Sequence, residues 1–503
     1  MRKRMLLRFS LGGCSVAVLS QALFLSMVSL GATSQPNIIL VMPDDVGYGD
    51  YACMGNPVIK TPSVDGFRQQ SLLFRQFHVS PTCAPTRSAL MSGRHEFKNG
   101  VTHTISERER LSLKTYTLPQ MLKSVGYTTG IFGKWHLGDE AEYRPESRGF
   151  DEVYIHGGGG IGQTYPGSCG DAPGNTNMNP ALWHNGKFVK TNGYCTDLFF
   201  DQALRWIDDT RKQKPPFFAY VTLNAAHSPL VVPESYYQHY LGKPGVDEDA
   251  AKFFGMIENI DRNFGKLLGK LRDWGLERDT LVIYIGGDNG GTVGTRVFPA
   301  GMRGTKGTPY QGGTRVPCLM RWPAGGVTAG SECHALTAHL DLFPTLMEMT
   351  GATMPESARS QVEGRSLLPL MKQPAAQWSD RILVHHVGRW ERGQAEKAKY
   401  QKMSIQNAHY SLVNNRELYD LKADPGEMRN VIDQHPEVVS QLRAHYDGWW
   451  QEIQPLLVNE NLDGPAQNPL KVLYWQQFGG GPKQTGKFST GKTKGQKREK
   501  EAP

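Results

Sequence analysis

Beyond residue 34 the chain has no apolar run long enough to cross a bilayer, which excludes a protein with several membrane spans. It has no tandem repeats, which excludes a solenoid or a propeller-like array. Cysteine is scarce, seven in 503 residues. Setting aside Cys14, in the N-terminal segment, leaves Cys53, Cys83, Cys169, Cys195, Cys318 and Cys333. Cys169 with Cys195, and Cys318 with Cys333, are plausible closures in an oxidising compartment, but the sequence leaves the connectivity open. If Cys83 is kept for chemistry, an odd number remains and at least one stays unpaired. The final stretch, "GPKQTGKFSTGKTKGQKREKEAP", lacks large apolar residues apart from Phe488 and is expected to be disordered. Its lysines make it either a solubilising tail or a tether for polyanions.

What is present begins with "MRKRMLLRFSLGGCSVAVLSQALFLSMVSLGATSQ". A basic start, an apolar run and then the small residues Gly31-Ala32-Thr33-Ser34 form the pattern of a secretory signal over residues 1–33. The protein is therefore expected to be exported, periplasmic or secreted. An uncleaved anchor is the alternative, because the run could span a bilayer. "LGGC" at Cys14 resembles a lipoprotein processing site, but most of the apolar run follows it, which argues against that use. The formal net charge is +8, concentrated unevenly, and the 56 glycines imply many tight loops.

Asn37-Ile38-Ile39-Leu40-Val41-Met42 is a continuous apolar run, suited to a strand buried on both faces, and it stops at Pro43-Asp44-Asp45. Three further runs end in the same abrupt way. Thr128–Phe132 leads into "GKWH", Phe217–Leu223 into "NAAH" and Thr280–Ile285 into "GGDNGG". Between them, "DLFFDQALRWIDDTRK" from Asp197 and "AKFFGMIENIDRNFGKLLGKLRDWG" from Ala251 space apolar residues as amphipathic helices do. The alternation predicts an α/β fold, a parallel sheet with helices on both faces. In such sheets ligands bind beyond the carboxyl ends of the strands. Those ends carry Asp44, Asp45, Lys134, His136, His227, Asp288 and Asn289. Near 373–376 the texture changes to short strands and one helix. The expected organisation is a catalytic domain over 36–375, a smaller α+β subdomain over 376–470 and a basic tail over 471–503.

Asp44-Asp45 alone could be a helix cap or a solvated turn. Joined by Asp288-Asn289, it could supply hard oxygen ligands for Ca²⁺ or Mg²⁺, whose charge would relieve the crowding of like charges. Lys134 and His136 alternate across Trp135, and Lys306 lies in the glycine-rich "RGTKGTPYQGGTRVP". Cations and imidazoles facing a metal would suit an anionic substrate and proton transfer to a leaving oxygen. Singly, His136 and His227 are equally readable as structural residues. Lys98, His103 and Arg148 are further candidates for the pocket wall. In "SPTCAPTRSALMSGR", Pro85 suits a first helical turn and Gly93 an end, which places Cys83 near a helix N-terminus where a thiolate is stabilised. A buried structural thiol or half a disulfide remain the alternatives. A thiolate beside a hard cation is chemically mismatched; an oxygen nucleophile fits better. After Gly149, "GGGGIGQTYPGSCGDAPGNTNMN" reads as a long loop, either lining the pocket or a surface insertion.

"CAPTRSALMSGR" resembles the signature of type I sulfatases, in which the cysteine is oxidised by a maturation enzyme to formylglycine. "NIILVMPDDVGYGD", "IKTPSVDGF", "GKWHLG", "AAHSP", "GGDNGG" and "LYDLKADPGEMRNV" extend the likeness over most of the chain after the signal. The resemblance implies an alkaline-phosphatase-like fold, its mixed, mostly parallel sheet flanked by helices, with a smaller C-terminal α+β subdomain. It implies a divalent metal, usually Ca²⁺, held by Asp44, Asp45, Asp288, Asn289 and modified Cys83. Arg87 and Lys134 would hold the formylglycine hydrate, and Asp288 would accept the proton of its attacking hydroxyl. His227 and Lys306 would bind sulfate and assist the leaving group, and His136 would deprotonate the second hydroxyl. The implied activity is hydrolysis of sulfate esters, with a sulfated small molecule or carbohydrate as substrate. The implied partners are a maturation enzyme and the export machinery, and no nucleic acid is expected. Two alternatives stand beside it: a phosphate or phosphonate ester hydrolase of the same superfamily, and a non-catalytic binder of sulfated polymers that keeps Cys83 unmodified.

Overall fold

The computed structural model describes residues 35–482; the expected signal and nearly all of the lysine-rich stretch lie outside the described residues. Strand β1 (Asn37–Met42) runs through the middle of an 11-stranded sheet. Its side chains alternate between two cores, as the two-residue period of a strand requires. Ile38, Leu40 and Met42 face Ala84, Leu90 and Met91 of the helix Cys83–Ser92. Ile39 and Val41 face Phe199 and Phe200 of Cys195–Gln213, and Phe253 and Phe254 of Glu248–Asp273. Burial on both faces explains why the run is apolar without interruption.

The other strands of this sheet are β2 (Leu72–His78), β3 (Thr128–Lys134), β4 (Glu152–His156), β5 (Ala181–His184), β6 (Lys187–Lys190), β7 (Phe217–Thr222), β8 (Thr280–Ile285), β9 (Arg315–Arg321), β10 (Glu332–Cys333) and β11 (Thr337–Ala338). Their order is β10-β2-β9-β8-β1-β7-β3-β4-β5-β6, with β11 also on β2. The centre is parallel: β1 pairs with β7 and β8, and β3 with β7 and β4. β9 runs antiparallel between β2 and β8, and β5 and β6 close the far edge antiparallel. The carboxyl ends of β1, β3, β7 and β8 therefore emerge side by side, and the loops that follow them build the site.

A second sheet, β12 (Leu383–His386), β13 (Met403–Gln406), β14 (Tyr410–Val413) and β15 (Glu417–Asp420), is antiparallel throughout. The helix Pro436–Ile453 covers it with Leu442, Tyr446 and Trp450, and Phe97 from the first part of the chain enters the same core. A buried ion pair, Arg381 Nη1 to Asp341 Oδ2 at 2.6 Å, joins the two regions. Among the described residues no helix is long and apolar enough to cross a membrane.

Two expectations need correction. None of the six described cysteines is in a disulfide. Cys318 and Cys333 are both in register with Phe74 of β2, from opposite sides, so β2 lies between them. Two strand spacings of about 4.8 Å exceed the reach of a disulfide. Cys169 is held against Thr104 O, whereas Cys195 opens a helix beside Thr196, so they have different neighbours. The stretch from 471, expected to be tail, begins as a helix, Pro469–Phe478. Leu470 is buried and Gln477 exchanges hydrogen bonds with the backbone of Phe188 at 2.8 and 2.7 Å, which anchors the helix to β6.

Candidate active site

Cys83 is the first residue of its helix and Gly93 ends it in the left-handed conformation, φ 66°. Every residue of this helix is buried. Cys83 therefore sits at the positive end of a helix dipole with almost no solvent around it. Its thiol lies with carboxylate oxygens of Asp44 and Asp288 in one cluster whose ligand atoms are all within 4.8 Å of one another.

Asp44 and Asp45 follow β1, and Asp288 and Asn289 follow β8, which pairs with β1. The two loops touch. Asp45 N–H donates to Asp288 Oδ1 at 3.3 Å, and Asn289 Nδ2 donates to Asp45 Oδ1 at 3.1 Å. Gly287 permits this approach, because a Cβ there would lie 1.8 Å from Val46 O. Asp45 adopts φ 61°, a left-handed geometry that costs about 1 kcal/mol for a residue with a Cβ and is held by the surrounding contacts.

The cations are interleaved with these acids. Lys134, at the end of β3, donates to Asp44 Oδ2 at 2.6 Å. Arg87, one turn beyond Cys83, donates to Asp288 Oδ2 through Nε at 2.9 Å and Nη2 at 2.6 Å, and through Nη1 to Lys134 O at 2.9 Å. Lys306 Nζ bonds Asp45 Oδ1 at 2.5 Å, and His227 Nε2 lies 3.8 Å from Asp45 Oδ2. His136 Nε2 donates to Thr104 O at 2.8 Å. That bond puts the proton on Nε2 and leaves Nδ1, which is buried and unpartnered, with its lone pair.

Each group's titration follows from these neighbours. Burial and the charge of Asp288 push the Asp44 carboxyl well up, against the pull of Lys134. Asp288 is also penalised by burial, but Arg87 outweighs that and holds it below the usual carboxylate range. Asp45 goes the same way, because Lys306 and His227 overcome its burial. The Cys83 thiol, pushed up by burial, is drawn below its ordinary value by Lys134 and Lys306. Burial is the first cause that lowers His136 and His227, so both are neutral bases at pH 7.

The donor set fits a hard divalent cation. Asp44 Oδ1 and Asn289 Oδ1 are buried with no hydrogen-bond partner, and the Asn289 amide nitrogen is already committed to Asp45 and Gly290 O. Buried oxygens without partners, among crowded carboxylates, are what such an ion would satisfy.

All ten expected site residues thus converge. Above them lies a cavity of about 330 Å³ that reaches Cys83, His136, His227 and Lys306. Gly159, Gln163 and Tyr165 of the long loop line it, so that loop is a wall of the site. A Cβ on Gly159 would stand 2.8 Å from His136 Nε2, so the loop can approach the imidazole this closely only as glycine. His136 itself has φ 60°, so it reaches the site from a bend, whereas Lys134 does so from the last extended residue of β3. His103 also lines the cavity, but Lys98 and Arg148 do not. Lys98 is paired with Glu363 and Glu452, and Arg148 ties Ser112 O and Thr115 O. Thr104, Ser228 and Arg389 were missed; Thr104 and Ser228 directly follow the candidates His103 and His227, a signal that could have found them, whereas Arg389 lies in the later region and nothing local marks it.

A family model described as Sulfatase matches residues 36–352, and one described as N-sulphoglucosamine sulphohydrolase, C-terminal matches 305–449. The chain belongs to the sulfatase family. This sulfatase is 30% identical to N-acetylgalactosamine-6-sulfatase of Rattus norvegicus, over 72% of its own length and 71% of that protein. It is 27% identical to a sulfatase of Formosa agariphila, over 83% and 88% of the two chains. Among solved structures, Ps i-CgsB in complex with k-i-k-neocarrahexaose superposes with a TM-score of 0.72 at 27% identity, covering 88% of this sulfatase and 97% of that chain. The mixed sheet and flanking helices are the alkaline-phosphatase-like sulfatase fold, and this sulfatase is a sulfuric ester hydrolase.

Proposed function

We propose that this sulfatase, exported on residues 1–33, hydrolyses sulfate esters of a sulfated carbohydrate with a divalent cation and an oxidised residue 83. The observation that carries the reading is the place of Cys83: buried at a helix N-terminus, clustered with Asp44 and Asp288, and open to a cavity edged by Lys306 and His227. The carbohydrate is favoured because the rat relative is named for a sulfated sugar and i-CgsB was solved with neocarrahexaose.

Asp44, Asp45, Asp288, Asn289 and modified residue 83 would hold the cation, most simply Ca²⁺. Bound there, it would offset the carboxylates and withdraw charge from a sulfate oxygen. Converted to formylglycine, residue 83 would supply an oxygen nucleophile as its hydrate and a way to expel sulfate by return to the aldehyde. Arg87 and Lys134 place fixed positive charge around that position and stabilise negative charge as it develops. Asp288, kept ionised by Arg87, accepts the attacking hydroxyl's proton. Lys306 and His227 bind sulfate oxygens in the cavity they line and assist protonation of the leaving oxygen. His136 Nδ1 takes the proton of the second hydroxyl, while its Nε2–H stays on Thr104 O.

The test is mass spectrometry of the tryptic peptide Gln76–Arg87 from a host with a competent maturation enzyme, followed by assay of matched sulfate, phosphate and phosphonate esters. Aldehyde in place of thiol and turnover of the sulfates is the expected result. Aldehyde with turnover confined to phosphates or phosphonates would transfer the chemistry to the other ester class. An intact thiol in protein that hydrolyses sulfates would refute the nucleophile.

A further inference from the structure

A second cleft of about 610 Å³ adjoins the catalytic cavity; His103, Ile105 and Arg389 line both. Its far wall comes from Trp390–Arg392, after β12, and from 460–465. The sulfate to be cleaved is accounted for by Lys306 and His227, which line the catalytic cavity alone. The two groups at the junction are left without a task.

Arg389 is solvent exposed and has φ 58°. Its N–H donates to Thr102 O at 3.0 Å, and its neighbour Gly388 is so close that a Cβ there would lie 2.0 Å from the same oxygen. A left-handed arginine is a strained way to build a loop, and here the backbone is pinned so that the guanidinium reaches the junction. Its Nη2 donates to Thr104 Oγ1 at 3.0 Å, which fixes one edge of the fork. No ion pair to an acid is found for it among the described residues. The acids of the cleft are engaged elsewhere. Glu460 accepts from Trp390 Nε1 and Gly393 N, Glu107 accepts from Ser168 N, and Asp463 pairs with Arg392. Glu391 is open to solvent.

His103 Nδ1 accepts from Thr104 N at 2.8 Å and Ile105 N at 3.1 Å. Two donors on Nδ1 require the ring proton to sit on Nε2. Burial, with Arg108 and Arg389, keeps the ring neutral down to about pH 3, so this N–H is a donor at every working pH. A guanidinium with a free edge beside a locked N–H donor is the pairing that recognises an oxyanion.

We infer that the second cleft takes the neighbouring sugar of an oligosaccharide and that Arg389 and His103 bind a second anionic group on it, a sulfate ester or a carboxylate. The substrate is then a multiply anionic saccharide, and Arg389 is a specificity residue. The inference rests on the proposed action on sulfated carbohydrate.

Binding separates the two. Unconverted protein, with its thiol intact, is titrated calorimetrically with carrageenan-derived disaccharides, which carry no carboxylate, in singly and doubly sulfated forms. Arg389→Ala should weaken a doubly sulfated ligand about 10- to 100-fold, as loss of a charge-assisted pair does, and the singly sulfated one at least tenfold less. Arg389→Lys should recover part of the loss, and His103→Phe should show the same preference in smaller measure. Equal weakening of both forms, no weakening, or no binding of either form by the unsubstituted protein would overturn the inference. Thermal melts check that each variant is folded. Failure of converted protein to turn over any sulfate ester would instead overturn the proposed function, and the binding comparison would still stand.

Discussion

His339 offers the sharpest test of the interior between the two sheets. Its Nδ1 faces His78 O at 3.0 Å and its Nε2 faces Ser80 Oγ at 3.2 Å. Burial, with the Arg381 cation adding to it and the bond to His78 O opposing, pushes its pKa down from the ordinary 6.5 to about 4. Above pH 6.5 the ring is neutral in both folded and unfolded chains, and the shift has no effect on stability. As pH falls below 6.5 the unfolded chain takes up a proton that the folded chain refuses, so stability falls until about pH 4. At pH 5 the loss is about 2 kcal/mol, from one and a half pH units at roughly 1.4 kcal/mol each. Several buried carboxyls, Glu96 and Glu109 among them, are pushed up to about 7 and act in the opposite sense. The test therefore compares the protein with His339→Gln, in which those groups cancel. Urea unfolding followed by tryptophan fluorescence should show the variant less stable at pH 7.5 by about 1 kcal/mol, the worth of a lost hydrogen bond. The gap should narrow or reverse by about 2 kcal/mol at pH 5. A gap that does not change with pH would show that His339 titrates as an ordinary histidine and would refute the reasoning.

Three further outcomes are expected. Arg381→Ala leaves Asp341 buried with only the N–H groups of Ala338 and Arg365, and should cost about 3–5 kcal/mol in the same unfolding assay; a cost below 1 kcal/mol would mean solvent reaches Asp341. Lys306→Ala should lower kcat/KM for a sulfate ester with a poor leaving group about 10²- to 10³-fold, and unchanged turnover would remove Lys306 from the chemistry. Chelation should lower the thermal midpoint and added Ca²⁺ restore it, because the proposed ion would bind only the folded cluster of Asp44, Asp45, Asp288 and Asn289; an unmoved midpoint would count against the metal site.

Much of the fold was legible because burial on two faces leaves a local trace. The unbroken apolar run of β1 and the helical spacing from Asp197 and Ala251 each reflect one element's surroundings, and each element formed where expected. The residues at the strand ends were legible for a related reason: adjacent acids after an apolar strand are costly unless something neutralises them, and one of the cations that do so, Lys134, ends a neighbouring strand of the same parallel sheet. Pairings that depend on how separate segments meet left no such trace. Cys318 and Cys333 are close in sequence, yet β2 lies between them. Lys98 and Arg148 carry charges as suggestive as that of Lys306, and only the packing shows that they tie loops together.

Sequence alone therefore determined the chemistry on offer, namely hard oxygen ligands, an exceptional cysteine, and cations and imidazoles at the ends of buried strands, because each residue's type and its immediate neighbours are enough to specify it. Which groups line the cavity was decided only in three dimensions. Arg389 reaches the cavity from beyond β12 because a pinned left-handed backbone turns it there, and His103 becomes a fixed donor because two backbone N–H groups occupy its other nitrogen. Such roles arise from contacts between distant segments, and those exist only once the chain has packed.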